Sequence, residues 1–525
     1  MAENTANRGR ILWADDEIAL LKPHIMFLEE RNYRVTAVAS GEDALRALDH
    51  DTYQLVLLDE MMDGMDGLAT LQAIKEVNPA LPVIMITKNE EEWLMNEALA
   101  ANLAGYLTKP VNPSQILMAC KSVLEKAHIR SDKAASRYLE AFQDLSSRVD
   151  SAASLGEWIS IFHELTDWDV EFDQHQDLGL DQLLAEQHLS ANQRFSRLVL
   201  DNYQHWLDDG AEVAFSHQVL DRFVTPHLEA GSQVVLLVVD CLRLDQWKAM
   251  RTLLQDRFAI EEAVHMSLLP TATPYSRNAI FSGLTPGELP RQFPAAWREM
   301  QTNESSMNRH EAEFLEASLK RKGLDSLRTK YFKVITADEG QKLLARLPEY
   351  RDTNLLALVV NFVDLLAHHR AESDVIKEML PDEAGYRATI CSWLEQSWLR
   401  KLLLELAGWE DIVLVLTSDH GSILVDKPVR IRGDRSTSSG VRYKVGKNLD
   451  SPDKNALTIK SPSQYQLPGE EKGLNYIIAR DRNFFVFPSD YNRFVRRFEG
   501  SFQHGGISLE EMIVPVATLR PREGT

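Results

Sequence analysis

Six acidic and imidazole side chains follow apolar segments from residue 240 onward, and their types suit metal binding. They are Asp240, Asp364, His368, Asp419, His420 and His504. Mixed carboxylate and imidazole ligands favour Zn²⁺ or Mn²⁺ over a Mg²⁺ pair, and three of each are enough for two ions. In an open α/β sheet, side chains at the carboxyl ends of different strands meet in one crevice. The sequence therefore predicts a two-metal site built from distant segments.

A hydroxyl side chain, Thr273, lies between a predicted strand and a predicted helix that begins with Pro274. We expect Thr273 to be the N-cap of that helix, beside free backbone N–H groups that favour a bound phosphate. Two divalent ions would lower the pKa of this hydroxyl and stabilise both the attacking and the leaving oxygen. The segment therefore predicts a threonine nucleophile that depends on the metal site.

A second group of polar residues follows apolar segments near the N-terminus. Asp15 and Asp16 follow the first segment, Asp59 ends the third, Thr87 ends the fourth and Lys109 follows the fifth. Clustered carboxylates bind Mg²⁺, and a carboxylate beside Mg²⁺ can attack phosphorus. Asp59 is therefore a candidate phosphoacceptor, with Lys109 pairing with the new phosphoryl group and Thr87 hydrogen-bonding it.

Five apolar segments alternate with helical patterns between residues 10 and 126. The segments are RILWA, RVTAV, QLVLLD, PVIMIT and AGYLT. The helices are expected near 19–31, 43–49, 67–77, 90–100 and 114–126. This alternation predicts a doubly wound parallel α/β domain, which would bring the five polar residues to one sheet edge.

The rest of the chain changes pattern twice. Between Pro113 and Pro226 there is no proline, and apolar residues recur at helical spacing, which predicts an all-α helical bundle. From about Ser232 the strand and helix alternation resumes, which predicts a large α/β domain with long insertions at 284–330 and 426–475. We therefore expect three domains, comprising residues 1–126, 127–225 and 226–525.

Charge is unevenly distributed along this chain of net charge −21. The first two predicted domains are strongly acidic, which argues against their binding DNA through its phosphates. No helix-turn-helix pattern or basic helix follows the first domain, so we expect no direct sequence-specific DNA binding. The third predicted domain is close to neutral and remains compatible with a polyanionic partner.

Composition also indicates the cellular compartment. The three cysteines, Cys120, Cys241 and Cys391, lack metal-ligand spacing and predict reduced, structural thiols. No apolar stretch reaches the roughly 18 residues needed to cross a bilayer, and the first residues lack a signal-peptide core. We expect a cytoplasmic protein without membrane insertion.

The first predicted domain resembles the response-regulator receiver family over residues 9–126. The loop Asp59-Glu60-Met61-Met62-Asp63-Gly64-Met65-Asp66-Gly67 is similar to the family's acceptor loop, and Tyr106 and Lys109-Pro110 match its switch aromatic and its lysine. The resemblance implies that a sensor histidine kinase phosphorylates Asp59. It also implies a Mg²⁺ site formed by Asp16, Asp59 and Met61.

Two residues depart from the receiver pattern. Asp63 stands where the family usually has proline, and Lys88 follows Thr87 where a small residue is typical. Because Lys88 would stand beside the phosphorylation site, we expect it to alter access to the acyl phosphate and hence its lifetime.

The segment from about 230 to 520 resembles the PglZ branch of the alkaline phosphatase superfamily. By this resemblance one zinc ion would be held by Asp364, His368 and His504. The other would be held by Asp240, Asp419, His420 and the nucleophile. Counted back from Gly283, Thr273 occupies the position of the family's catalytic serine or threonine, with Thr271 as the fallback.

A receiver, a helical middle and a PglZ-type domain in this order resemble the PorX-type response regulators. The resemblance implies a zinc phosphodiesterase that acts on linear or cyclic oligonucleotides and is linked to regulation of type IX secretion. Phosphomonoesters, sulfate esters and phosphonates stay open as substrates, since the fold hosts all of them. We also expect phosphorylation to favour a homodimer through a two-state rearrangement.

A locally basic segment at 427–447 suggests where a phosphodiester backbone would bind. The candidate substrate-binding residues are Arg277, Arg442, Lys444 and Lys447. The alternative hypothesis is a signalling protein in which the metal domain is structural and the phosphorylated chain binds a partner such as a sigma factor.

Overall fold

The computed structural model divides into two compact units, residues 1–137 and 138–525. It describes residues 9–88, 103–174, 180–208, 211–300, 307–370, 373–433, 438, 440–451, 456–469 and 473–522, without the side chains of 125–135, 374 and 490. The helix predicted near 90–100 lies outside the described residues. Within them, no helix combines the length and the apolar character needed to cross a membrane.

The first unit contains a five-stranded parallel sheet with the order β2-β1-β3-β4-β5. Its strands are β1 (Gly9–Ala14), β2 (Tyr33–Val38), β3 (Leu55–Asp59), β4 (Val83–Thr87) and β5 (Gly105–Thr108). Every residue of β3 and β4 is buried, because helices cover both faces of a parallel sheet and both faces must be apolar. The predicted doubly wound fold is confirmed.

The helices of this unit follow the predicted alternation. They are α1 (Lys22–Glu29), α2 (Gly41–His50), α3 (Gly67–Val77) and the first part of α4 (Pro113–Ser151). Side chains of Ser40 and Asp66 cap α2 and α3 by accepting backbone N–H groups. The predicted end of the last helix, near residue 126, was wrong, since α4 continues to Ser151. No glycine or proline interrupts the chain before that residue.

The second unit is built on a six-stranded mixed sheet with the order β7-β18-β10-β6-β9-β8. These strands are β6 (Gln233–Val239), β7 (Phe258–Met266), β8 (Thr329–Val334), β9 (Leu355–Val360), β10 (Ile412–Thr417) and β18 (Ile513–Pro521). The three central strands, β10, β6 and β9, are parallel neighbours, so their carboxyl ends meet at one edge of the sheet. That edge carries the predicted metal ligands.

Helices surround this sheet. They are α5 (Leu155–Asp173), α6 (Asp181–Asp208), α7 (Thr225–Glu229), α8 (Leu244–Arg251), α9 (Thr273–Ser282), α10 (Leu289–Gln292), α11 (Pro294–Met300), α12 (Glu311–Arg321), α13 (Ala337–Arg346), α14 (Phe362–Arg370), α15 (Asp374–Met379), α16 (Glu383–Gln396), α17 (Trp398–Leu406), α18 (Tyr491–Phe498) and α19 (Leu509–Met512). The predicted helical middle is present as α5, α6 and the end of α4. Trp158 of α5 and Phe195 of α6 share one hydrophobic core with Val235 of β6, so these helices pack directly against the sheet domain.

Residues 426–500 form an inserted subdomain, which extends 25 residues beyond the second insertion predicted at 426–475. Its strands and the two that flank it are β11 (Ile423–Val425), β12 (Lys427–Arg430), β13 (Tyr443–Lys447), β14 (Ala456–Ile459), β15 (Leu474–Ala479), β16 (Asn483–Val486) and β17 (Ser501–Gln503). The flanking strands β11 and β17 pair antiparallel, which closes the subdomain at its base. The first insertion, at 284–330, contains α10, α11 and α12.

Helix α6 makes a polar contact with the segment that follows the last metal ligand. Asn192 donates to both carboxylate oxygens of Glu510 (3.0 and 2.9 Å), and its own carbonyl oxygen accepts the Leu509 amide at 2.7 Å. The backbone of Glu510 packs so closely on Gly421 that a Cβ there would lie 1.9 Å from its carbonyl oxygen. Helix α6 therefore supports the chain beside His420.

His188 of the same helix lies between two carboxylates. Its Nε2 is 3.0 Å from Asp169 Oδ2 and its Nδ1 is 3.5 Å from Glu510 Oε1. Burial alone would lower the pKa of His188, but the two carboxylates raise it well above its usual value. The imidazolium form therefore stabilises the fold.

His188→Gln should destabilise the protein in a pH-dependent way. Because the folded pKa is raised, the stabilisation by His188 is complete below its unfolded pKa of about 6.5 and is lost as pH rises through the folded value. Urea unfolding should show a larger difference between wild type and variant at about pH 6 than at alkaline pH. The exposed His50→Gln is the control, and a difference that does not change with pH would contradict the role of His188.

Candidate metal centre

The first predicted ligand group lies at the carboxyl ends of β6 and β10. Asp240 follows β6 directly, and Asp419 and His420 follow β10; all three are buried. His420 Nε2 is 3.8 Å from Asp240 Oδ1 and 3.7 Å from Asp419 Oδ2. Ligand atoms of the three residues lie within 4.8 Å of one another, which is close enough to share one ion.

The second group joins α14 to the loop after β17. His368 Nε2 lies 3.4 Å from Asp364 Oδ1 and 3.4 Å from His504 Nε2, and the third side of the triangle is 3.6 Å. Tetrahedral zinc with bonds of about 2.0–2.2 Å holds its ligand atoms roughly 3.3–3.6 Å apart. The sequence suggested that Asp364 lies at the end of a strand. In the structure it lies in the first turn of α14.

The two groups adjoin each other. The imidazole rings of His420 and His504 stack with centroids 4.2 Å apart and an interplanar angle of 20°. Each ring belongs to a different group, so two ions bound there would be neighbours, as in two-metal phosphate chemistry.

The state of these side chains fits a bound cation. Asp419 Oδ2 and Asp364 Oδ1 are buried and accept no hydrogen bond within the described part of the chain. Burial and the charge of Asp419 raise the pKa of Asp240, which shows how much negative charge collects here. Burial and the nearby His420 lower the pKa of His504, which favours the neutral imidazole that binds metals.

Arg277 was predicted to contact substrate, but the structure buries it against Asp240, one of the predicted metal ligands. It is 1% exposed, and its guanidinium contacts Asp240 Oδ2 and Glu311 Oε1 at 2.5 Å each. Asn361 donates to the same oxygen of Asp240 at 2.6 Å, so only Asp240 Oδ1 faces His420. Arg277 therefore orients a predicted ligand, and no pattern in the sequence points to Glu311.

Thr273 lies against the first ligand group. Its Oγ1 is 3.0 Å from His420 Nε2 and 3.4 Å from Asp240 Oδ1. Helix α9 begins at Thr273 with Ala272 at the N-cap, so the predicted N-cap position was wrong by one residue. Thr271 is fully buried and donates to the Gly506 carbonyl at 2.7 Å, so its hydroxyl is already engaged. This geometry favours Thr273 over Thr271.

Arg442 was also predicted to bind substrate, and the structure instead buries it completely. Its Nε donates to Glu511 Oε1 at 3.1 Å and its Nη2 to Glu511 Oε2 at 2.5 Å. Glu511 Oε1 also accepts the Gly506 amide at 2.8 Å, two residues after His504. Lys444 is buried as well and donates to the Ser438 carbonyl at 2.6 Å, whereas Lys447 is exposed.

Arg442→Met should therefore destabilise the fold. Removing one partner of a buried ion pair leaves Glu511 without its counter-ion, which costs about 3–5 kcal/mol of unfolding free energy. Lys447→Met, at the exposed end of β13, the strand that follows Arg442 directly, should change it by no more than about 0.5 kcal/mol. Urea unfolding of both variants tests this, and equal stabilities would contradict the structural role of Arg442.

The phosphoacceptor candidate lies at the carboxyl edge of the first unit's sheet. Asp15, Asp16 and Asp59 form an acidic group with ligand atoms within 4.8 Å of one another. Lys109 Nζ is 2.9 Å from Asp59 Oδ1 and 3.2 Å from Asp15 Oδ2. Burial raises the pKa of Asp59 while its hydrogen bond from Lys109 acts in the opposite direction. Asp15, Asp16, Asp59 and Lys109 therefore lie together, as predicted.

The other residues predicted for this site lie on β4, on β5 and in the loop after β3. Thr87 is buried at the end of β4, where its hydroxyl donates to Glu60. Tyr106 is 56% exposed and Met61 is 65% exposed, so both present side chains to solvent. Lys88, which departs from the receiver pattern, is exposed next to Thr87.

Three family models match the chain in sequence. The first, "Response regulator receiver domain", covers residues 11–121 and the second, "PorX response regulator linker domain", covers 128–207. The third, "BREX system PglZ alkaline phosphatase-like domain", covers residues 219–519 and therefore more than half of the chain.

Curated relatives match a smaller part. The transcriptional regulatory protein ResD of Bacillus subtilis is 33% identical over 121 residues, which are 23% of this chain and 50% of ResD. The transcriptional regulatory protein GlrR of Escherichia coli is 33% identical over 128 residues, 24% of this chain and 28% of GlrR. The chain thus spans half or less of the length of these relatives.

Solved structures show a likeness of similar extent. A CheY-like receiver domain protein from Methanospirillum hungatei is 29% identical, covering 22% of this chain and 94% of that one, with a TM-score of 0.21. The response regulator TrrA from Thermotoga maritima, in complex with Mg(2+)-BeF, is 26% identical, covering 22% and 98%, also with a TM-score of 0.21.

Proposed function

This chain belongs to the PglZ alkaline phosphatase-like family, and its receiver, linker and PglZ domains make it a PorX-type response regulator; from that premise we propose that its output is a two-zinc phosphodiesterase. The observation that supports this proposal is the contact of Thr273 with one of two adjoining ligand groups. We propose linear or cyclic oligonucleotides as its substrates and regulation of type IX secretion as its context.

Asp240, Asp419 and His420 would hold one zinc ion, and Asp364, His368 and His504 the other. When bound, the ions would supply positive charge that lowers the hydroxyl pKa and stabilises charge on the phosphoryl oxygens. The Thr273 oxygen forms a bond to phosphorus as the bond to one ester oxygen breaks, and its proton passes to water. Water then hydrolyses the phosphothreonine ester and regenerates the hydroxyl.

The protein's own side chains prepare this step. Arg277 and Asn361 fix one carboxylate oxygen of Asp240, which leaves the other directed to Thr273. Asn308 restrains the backbone of the nucleophile as well, because its Nδ2 donates to the Thr273 carbonyl at 3.1 Å. The hydroxyl is therefore held in place before substrate binds.

The receiver domain implies phosphorylation by a sensor kinase, and we propose Asp59 as the acceptor. Mg²⁺ held by Asp16, Asp59 and Met61 would neutralise charge during the transfer. Lys109 already contacts Asp59 and would pair with the phosphoryl group. We further propose that the domains comprise residues 1–126, 127–225 and 226–525, and that phosphorylation favours a homodimer.

Hydrolysis of bis-p-nitrophenyl phosphate by the full chain tests the catalytic proposal. We expect turnover with zinc, loss after chelation and recovery when zinc is restored. Linear and cyclic oligonucleotides should then be compared with phosphomonoesters, with and without beryllofluoride. Stoichiometric zinc without hydrolysis of any ester would contradict the proposal and favour a structural metal domain.

A further inference from the structure

The inserted subdomain differs in charge from the rest of the protein. Residues 426–500 contain 15 Lys and Arg against nine Asp and Glu, in a chain whose net charge is −21. A local excess of positive charge on an acidic protein attracts polyanions to one region and not to the whole surface. The location of the exposed part of this charge therefore identifies a surface.

Helix α18 presents three arginines on one side. At 100° per residue, Arg493, Arg496 and Arg497 fall within about 100° of the helix circumference, and all three are exposed. The opposite side carries Tyr491, Phe494, Val495 and Phe498. These four pack against a buried cluster that includes Val441 and Phe484. The helix is thus fixed to the subdomain by its apolar side, which leaves the arginines directed outward.

Strand β12 extends this charge. The Arg430 guanidinium lies 4.6 Å from the centroid of the Tyr491 ring, which joins β12 to the start of α18. Arg432, two residues after Arg430 and therefore directed to the same side, is also exposed. The neighbouring carboxylate of Asp426 is paired with Arg482 at 3.3 Å. We call the exposed set the basic face, and it comprises Arg430, Arg432, Arg493, Arg496 and Arg497.

The basic face is connected at both ends to metal ligands. His420 lies three residues before β11, and His504 follows β17 directly. Because β11 and β17 pair with each other, the subdomain that carries the basic face begins and ends at the metal centre. A strand bound to the basic face could therefore follow the subdomain to its base, where the predicted metal ligands lie.

We propose that the basic face binds the sugar-phosphate backbone of a single-stranded oligonucleotide while another phosphate of the same strand occupies the metal centre. This rests on the proposed phosphodiesterase function and adds that recognition extends beyond the scissile phosphate. Arginine suits binding to a phosphate backbone, because the planar guanidinium donates two hydrogen bonds to one phosphate. A membrane surface fits less well, because the apolar side chains of α18 face the subdomain core.

The test compares two triple variants of the full chain. Arg493→Gln, Arg496→Gln and Arg497→Gln neutralise α18, and Arg328→Gln, Lys342→Gln and Arg346→Gln remove three exposed charges elsewhere. The probe is a fluorescein-labelled, phosphorothioate-linked DNA strand of about 12 nucleotides, titrated at several salt concentrations. Thermal unfolding of each variant establishes that it is folded.

The α18 variant should bind the strand at least about tenfold more weakly, and the slope of log Kd against log salt should fall by about 2, or about 0.7 for each lost contact. The control should match wild type, and all three proteins should hydrolyse bis-p-nitrophenyl phosphate equally. Equal loss in the control, or unchanged oligonucleotide binding with lost binding to phosphatidylglycerol vesicles, would overturn the inference. Absence of hydrolysis in wild type would contradict the proposed function alone, because the binding measurement needs no turnover.

Discussion

Thr273→Val should abolish phosphodiester hydrolysis, with kcat/KM for bis-p-nitrophenyl phosphate at least about a thousandfold below wild type. Valine keeps the shape of threonine but removes the oxygen that would form the bond to phosphorus. That oxygen is 3.0 Å from His420 Nε2 and 3.4 Å from Asp240 Oδ1. No other hydroxyl among the described residues is known to contact both side chains, so no substitute nucleophile is expected.

Metal content and a neighbouring variant separate loss of the nucleophile from loss of the site. Zinc measured by plasma emission should remain close to wild type in Thr273→Val, because the six protein ligands are intact. Thr271→Val should keep most of the activity, since the Thr271 hydroxyl donates to the Gly506 carbonyl and not to one of the six predicted ligands. If Thr271→Val were inactive and Thr273→Val active, the two assignments would have to be exchanged.

Asp59→Asn should eliminate phosphoryl incorporation from acetyl phosphate. The amide is a poor nucleophile and cannot form the acyl phosphate, although it is nearly identical to aspartate in size. It would also weaken the Mg²⁺ group shared with Asp15 and Asp16. Intact-protein mass spectrometry should show the added phosphoryl mass in wild type, sensitive to hydroxylamine, and none in the variant.

Asp63→Asn is the matched control for this experiment. Asp63 is exposed in the loop after β3, at the position where receiver domains usually have proline. Since it lies outside the acidic group, its loss should leave phosphorylation close to wild type. Incorporation that persists in Asp59→Asn would show that another residue is the acceptor.

Much of the candidate metal site was predictable because its ligands follow apolar strands. Burial of both faces of β6, β9 and β10 requires continuous apolar segments, so the first polar residues beyond them stand out in the sequence. Asp364 and His368 come together for a different reason, because both lie on α14 and residues four apart are on one face of a helix. Convergence of these elements then follows from the parallel order of the strands.

The roles of the arginines were not predictable in the same way. A sequence shows that Arg277 and Arg442 are basic, but not that Glu311 and Glu511 lie beside them in the folded chain. A charge beside a site looks the same in sequence whether it contacts substrate or balances a buried carboxylate. The exposed arginines of α18 were not predictable for the converse reason, since they lie outside the basic segment at 427–447 that the sequence indicates as a substrate-binding region.

The short pairing of β11 with β17 closes the inserted subdomain at its base, while Arg442 ties the subdomain to the chain beside His504 through Glu511. Loop-closure entropy grows only slowly with length, so the connections between the subdomain's strands can be lengthened or shortened at little cost, whereas Arg442 has to be kept. His420 and His504 lie outside these connections and would stay in place. Exchanging the connections alone should therefore change which polymers are cut and not how the bond is broken.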